Sequence, residues 1–264
     1  MAGDYSMSRR FDEAVPAMSK VPAVTLGFWL IKILATTLGE TGGDTVTMTM
    51  NLGYLTGTAI FLSLLAVFVT LQIRARTFHP ALYWATIVAS TTAGTTLADF
   101  ADRSLGIGYA GGSTLLLIGV LAVLGLWYRS QGSVSVDSVN TPRAESFYWA
   151  TITLSQTLGT ALGDWTADDT GLGFLGAALL FGGGLALLAA AYFWTRTSRV
   201  LLFWAAFILT RPLGATLGDF LDKPVTEGGL AFSRPIATAV MGAAIILCVW
   251  IIPQRAGTRA NPRR

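Results

Sequence analysis

The chain has 264 residues, of which 53% are hydrophobic and only 12% charged, with a mean hydropathy of +0.58 and a formal net charge of +3. A soluble domain carries about twice that share of charge to cover its surface, so an ordinary water-soluble globule is excluded. Cys248 is the only cysteine, which rules out a disulfide framework and a thiolate metal site.

Residues 1–21 hold Arg9, Arg10 and Lys20, lack the apolar centre of a signal peptide, and read as a cytoplasmic tail. Beyond them the chain aligns with itself four times without a gap. The segments are Trp29 to Asp44 (WLIKILATTLGETGGD), Trp84 to Asp99 (WATIVASTTAGTTLAD), Trp149 to Asp164 (WATITLSQTLGTALGD) and Trp204 to Asp219 (WAAFILTRPLGATLGD). Each has Gly ten residues and Asp fifteen residues after its Trp, and the Trp spacings are 55, 65 and 55. Every copy runs through a short polar loop into a second apolar stretch, such as Tyr54 to Ile73 or Phe174 to Trp194, long enough to cross a bilayer core of roughly 30 Å.

Eight spans are therefore expected, near 22–43, 52–73, 80–98, 107–128, 145–163, 172–194, 200–218 and 230–252. They divide into repeats at 22–76, 77–130, 145–197 and 198–252, with a cytoplasmic linker at 131–144 and a basic tail at 253–264. The fold class is an all-α membrane protein of four parallel two-helix repeats, with the odd helices as the inner bundle. Two spans per repeat give every copy the same direction, so all four aspartates lie on one side. The termini and inter-repeat loops hold Arg74, Arg76, Arg129, Arg143, Arg196, Arg199, Arg255, Arg259, Arg263 and Arg264 besides the N-terminal bases. The opposite loops hold Arg103 and Lys223, with Arg234 just inside the next span. The positive-inside bias then puts both termini in the cytoplasm of a bacterial inner membrane.

The four Trp-bearing tandem repeats, with their W-x9-G-x4-D pattern, resemble a bacterial family of uncharacterised integral membrane proteins built in this way. The resemblance covers about residues 22 to 252 and implies topology more than activity. Glu40-Thr41-Gly42-Gly43-Asp44-Thr45 is loosely similar to the E-x-G-D-K/R-T/S motif of cation–proton exchangers, from which it departs by one extra residue and by the lack of a base after the Asp.

At about 100° per residue, the polar positions of each odd helix gather on one arc. They are Thr36, Thr37, Glu40 and Thr41; Thr91, Thr92, Thr95 and Thr96; Gln156, Thr157 and Thr160; and Arg211 and Thr216. Such an arc within lipid must face protein or a wet cavity, so these hydroxyls and Gln156 are candidate pore-lining groups. Gly39, Gly43, Gly94, Gly159, Gly163, Gly214 and Gly218 form small-xxx-small faces that suit close helix packing. Asp44, Asp99, Asp164 and Asp219 are either turn residues or hard-oxygen ligands for magnesium, calcium or manganese. The intramembrane charges Lys32, Glu40 and Arg211 are coupling or gating candidates, or structural pairs of Glu40 with Lys32 or Arg211.

No nucleophile–base pair, phosphate loop or nucleic-acid surface stands out, so neither an enzyme nor a cofactor is expected. The expected partners are the lipid bilayer and a small ion or solute. The favoured function is transport of a cation, divalent and proton-coupled. The alternatives are a membrane scaffold or sensor, or a transporter of a small organic solute.

Overall fold

The computed structural model describes residues 18–257; Arg9, Arg10, Arg259, Arg263 and Arg264 of the two tails lie outside the described residues. Eight helices follow one another: α1 Leu26–Asp44, α2 Tyr54–Arg74, α3 Pro80–Asp99, α4 Tyr109–Gln131, α5 Pro142–Asp164, α6 Gly173–Trp194, α7 Arg199–Asp222 and α8 Arg234–Ile251. Local chemistry starts several of them. Thr25, Thr141 and Ser198 accept from backbone N–H groups of the first turns of α1, α5 and α7, and Pro80 and Pro142 stand where no N–H is needed.

The odd helices α1, α3 and α5 run on into five-residue π-helical turns, Thr45–Thr49, Phe100–Ser104 and Trp165–Asp169. The chain then reverses at a glycine 24 residues after each repeat Trp. Gly53, Gly108, Gly173 and Gly228 have φ of +76°, +81°, +64° and +86°, which only glycine adopts without strain.

Among the described residues five helices are long and apolar enough to cross a membrane: α2, α4, α6, α7 and α8. In contrast, α1, α3 and α5 match them in length at 19, 20 and 23 residues, but their threonines and carboxylates dilute the hydropathy. Packing explains the division. The odd helices form a closed ring, α1 against α3, α3 against α5, α5 against α7 and α7 against α1. Each even helix lies outside the ring against the odd helix of the next repeat: α2 on α3, α4 on α5, α6 on α7, and α8 back on α1. The packed unit is thus shifted by one helix from the sequence repeat, and α8 closes the circle.

Because the even helices touch the ring on one side only, their apolar windows are 11 to 22% buried, against 61% for α7. Leu55, Leu115, Leu179, Leu187 and Ile246 are among the large side chains this leaves exposed. A contiguous apolar belt of this kind is stable in lipid and not in water.

The first and last described segments, residues 18–23 and 255–257, meet at the Trp end of the ring. Ser19 N–H donates to Gly257 O at 3.0 Å and Ala23 N–H to Arg255 O at 2.8 Å. Lys20 is buried there: it pairs with Glu145 at 2.6 Å and donates to the last-turn carbonyls of Gln72 and Ile73 on α2.

Candidate functional site

Residues four apart on a helix lie on nearly the same side, so each odd helix presents one row to the axis of the ring. The rows are Phe28, Lys32, Thr36, Glu40, Asp44 and Met48; Tyr83, Ile87, Thr91, Thr95, Asp99 and Arg103; Tyr148, Ile152, Gln156, Thr160, Asp164 and Asp168; and Phe203, Phe207, Arg211, Ala215, Asp219 and Lys223. Read across the four helices, they stack as layers.

The inner layer is aromatic and cyclic. Phe28 packs on Trp84 at 5.4 Å, Tyr83 on Trp149 at 5.7 Å, Tyr148 on Trp204 at 6.1 Å, and Phe203 on Trp29 at 5.8 Å. Tyr83 and Tyr148 share a hydrogen bond of 2.6 Å between their hydroxyls. The recurring Trp is the receiver of its neighbour's ring.

The glycines obey the same cyclic rule. A side chain at Gly39 would strike Thr91, one at Gly94 the backbone of Gln156, one at Gly159 Arg211, and one at Gly214 Thr36. Four residues further out, Gly43 faces Thr95, Gly163 faces Ala215 and Gly218 faces Glu40. The small residues are therefore sockets for the neighbour's axial row.

The threonines of the polar arcs on the odd helices are buried. Thr37, Thr41, Thr92, Thr96, Thr157 and Thr216 turn their hydroxyls back to carbonyls of their own helices, as threonine in helices often does. Thr36 does the same and also reaches Thr210 O on α7 at 3.2 Å.

Arg211 stands at the centre. Its Nη2 donates to Glu40 Oε2 at 2.9 Å, and to Thr95 Oγ1 and Thr160 Oγ1 at 2.5 Å each, so one guanidinium ties α7 to α1, α3 and α5. The fourth member of that layer is Ala215, which leaves room for it. The partner of Glu40 is thus Arg211. Lys32 instead lies over the Phe207 ring, 4.1 Å from its centroid.

The four aspartates converge at the end of the ring opposite the tryptophans, all nearly fully buried. Lys223 bridges Asp44 at 2.8 Å and Asp219 at 3.1 Å. Arg103 bridges Asp99 at 3.0 Å and Asp164 at 3.9 Å. Arg234 reaches Asp44 at 3.7 Å and Asp222 at 3.5 Å. Burial alone would pull the Lys223 ammonium down, but Asp219 and then Asp44 outweigh it and hold the group above the usual lysine range. Asp99 and Asp164 likewise overcome burial at Arg103 and hold it above its ordinary value.

Asp44 Oδ1, Asp99 Oδ2 and Asp164 Oδ1 have neither a hydrogen bond nor an ion pair among the described residues, while Asp219 Oδ1 takes the Lys223 ammonium at 3.1 Å. Oxygens of Glu40, Asp44 and Asp219 lie within 4.8 Å of one another, close enough to share a cation. A cavity of about 280 Å³ opens over this end, lined by the outermost layer, Met48, Arg103, Asp168 and Lys223, together with Asp219 and Arg234.

Lys223 and Arg103 were not among the site residues expected from sequence, where they counted only as loop charges. Their signal is the i,i+4 spacing Asp99–Arg103 and Asp219–Lys223, which sets a base one turn beyond the acid.

A family model described as Repeat of Unknown Function (DUF347) matches the chain four times, at residues 27–78, 82–133, 147–198 and 202–256. No curated protein and no solved structure matches it.

Proposed function

The chain belongs to the DUF347 repeat family, and from that premise we propose that it crosses a bacterial inner membrane eight times, both termini cytoplasmic, and transports a cation in exchange for protons. In this reading α1, α3 and α5 are spans despite their polar rows, because the ring and the even helices shield those rows from lipid. The observation that carries the reading is the buried carboxylate set of Glu40, Asp44 and Asp219, with an unpartnered oxygen on Asp44, Asp99 and Asp164. Hard oxygen donors of this kind suit magnesium, calcium or manganese.

Lys223 and Arg103 act as tethered counter-ions. They neutralise the carboxylates at rest, and an arriving divalent ion displaces them toward the mouth cavity. The aromatic layer closes the inner end, so passage needs a rearrangement of the ring and not an open pore. Glu40 and Arg211 join all four ring helices and are placed to couple that rearrangement to the charge at the mouth.

A scaffold remains the second reading, supported by a separate observation: most of the threonine hydroxyls are satisfied within their own helices. Uptake by proteoliposomes separates the two. Manganese, calcium, magnesium, zinc, sodium and potassium are offered in turn with internal pH recorded, beside a variant carrying Asp→Asn at positions 44, 99, 164 and 219. Transport predicts flux of one ion with a counter-movement of protons, lost in the variant. Absence of flux for every ion, from protein shown to be folded, would refute it.

A further inference from the structure

We propose that the middle of the axis binds a small monovalent anion of chloride's size, between Lys32, Thr91, Gln156 and Arg211. Inward of the Glu40 layer, a group of buried polar atoms finds no hydrogen-bond partner among the described residues: Lys32 Nζ, Thr91 Oγ1, both amide atoms of Gln156, and Nε and Nη1 of Arg211. All four residues are fully buried. Buried donors without partners are rare because each loses its water without replacement. Here they fall in two adjacent layers of one ring.

Their chemistry is one-sided. Among those atoms only Gln156 Oε1 is obliged to accept; the others donate or can donate. The charge is one-sided too. Lys32 and Arg211 share this stretch with a single carboxylate, Glu40, which already takes Arg211 Nη2 on the outward side. The two remaining guanidinium nitrogens are left for an inward acceptor. Phe207, under Lys32 Nζ, is one turn from Arg211 on α7, so both cations border the same layer boundary.

Water could satisfy the hydrogen bonds, but it would leave the excess positive charge buried without a counter-ion. An anion answers both needs. Its size is limited by the packing, because Gly39, Gly94, Gly159 and Gly214 bring the four helices into contact around this layer. This site meets the carboxylate set only through the Arg211–Glu40 pair, and its test involves no transport.

Protein is purified in detergent with gluconate as the anion and titrated with sodium bromide at constant ionic strength, following thermal unfolding. Crystals grown with bromide are measured at the bromine absorption edge. The expected results are a saturable rise in melting temperature and an anomalous peak within hydrogen-bonding distance of Arg211. Gln156→Leu and Thr91→Val should each weaken bromide about tenfold, the value of one lost hydrogen bond to a charged group. The two variants serve as checks on each other if one fails to fold. A structural cluster, with Lys32 uncharged and only water between the donors, predicts no anomalous peak and a Gln156→Leu melting shift that is the same with and without bromide. That outcome would overturn the proposal.

Discussion

The Arg211 guanidinium offers the sharpest test of how the ring is held. Arg211 is fully buried and Glu40 is 3% exposed, so Glu40→Gln leaves a positive charge in the bundle with only neutral acceptors at Nη2, an amide oxygen and the Thr95 and Thr160 hydroxyls. Breaking a buried pair by removing one partner costs about 3–5 kcal/mol. At about 2–4 °C per kcal/mol for a chain near this size, the melting temperature should fall by roughly 6–20 °C. Arg211→Met alone should cost a similar amount, by stranding the Glu40 carboxylate.

The double variant removes both charges, and Met keeps the Cβ and Cγ that fill the socket at Gly159. It should recover most of the loss, giving a coupling energy of about 3 kcal/mol or more. Thermal unfolding of detergent-purified protein in gluconate, followed by tryptophan fluorescence, reads all four corners of the cycle. Singles that each cost under about 1 kcal/mol, or a double equal to their sum, would show that the pair is incidental and that the ring is held by its glycine contacts.

Three further outcomes follow from the layers. Gly159→Ala and Gly214→Ala should each destabilise by about 1–3 kcal/mol, since the new methyl meets Arg211 or Thr36, whereas Gly125→Ala on α4, with open space around it, should be neutral or stabilising; equal effects at inner and outer glycines in a chemical-unfolding series would contradict the socket rule. Lys223→Gln leaves Asp44 and Asp219 without their shared base, so the protein should melt earlier in metal-free buffer and regain that loss with millimolar manganese or calcium, while a variant no cation rescues would tell against the carboxylates as a cation site. Tyr83→Phe or Tyr148→Phe strands one buried hydroxyl at a cost of about 1–3 kcal/mol, and the double Phe variant should be close to wild type in melting temperature; additive losses would show that the hydroxyls have other partners.

Much of this ring was legible in the sequence. The ten-residue offset from Trp to Gly and the fifteen-residue offset to Asp put a small face and an acid on each odd helix, which is enough to expect four parallel helices around one axis. The partner of each even helix was not legible, because in a repeated sequence α2 fits α1 and α3 equally well. At α2 the loops favour α3, since five residues, 75–79, join the two, while the π-helical turn and a reversal at Gly53 separate α1 from α2. The helical wheel gathers the threonines on one arc and could not show where their hydroxyls turn. A wheel fixes the direction of Cβ; the side-chain rotation that returns Thr92 Oγ1 to Val88 O lies beyond it.

What remains is the contrast between a symmetric frame and an asymmetric axis. Trp, Gly and Asp recur in all four repeats, and each does the same thing to the next helix, so together they build a closed ring whatever else the rows contain. The charges break that symmetry in two steps. At the mouth, a base follows the Asp only in the second and fourth repeats, as Arg103 and Lys223, while Met48 and Asp168 occupy the equivalent places. Four equal acids thereby become two bridged pairs, α3 with α5 and α7 with α1. Deeper in, Lys32, Glu40, Gln156 and Arg211 each occur once, and Ala215 is the gap that admits Arg211. Residues needed only for packing would be expected to stay alike under duplication, as the glycines and tryptophans have. The charged residues have diverged, each to a different place on one axis, and that divergence is the physical reason to look for the function there and not in the repeat itself.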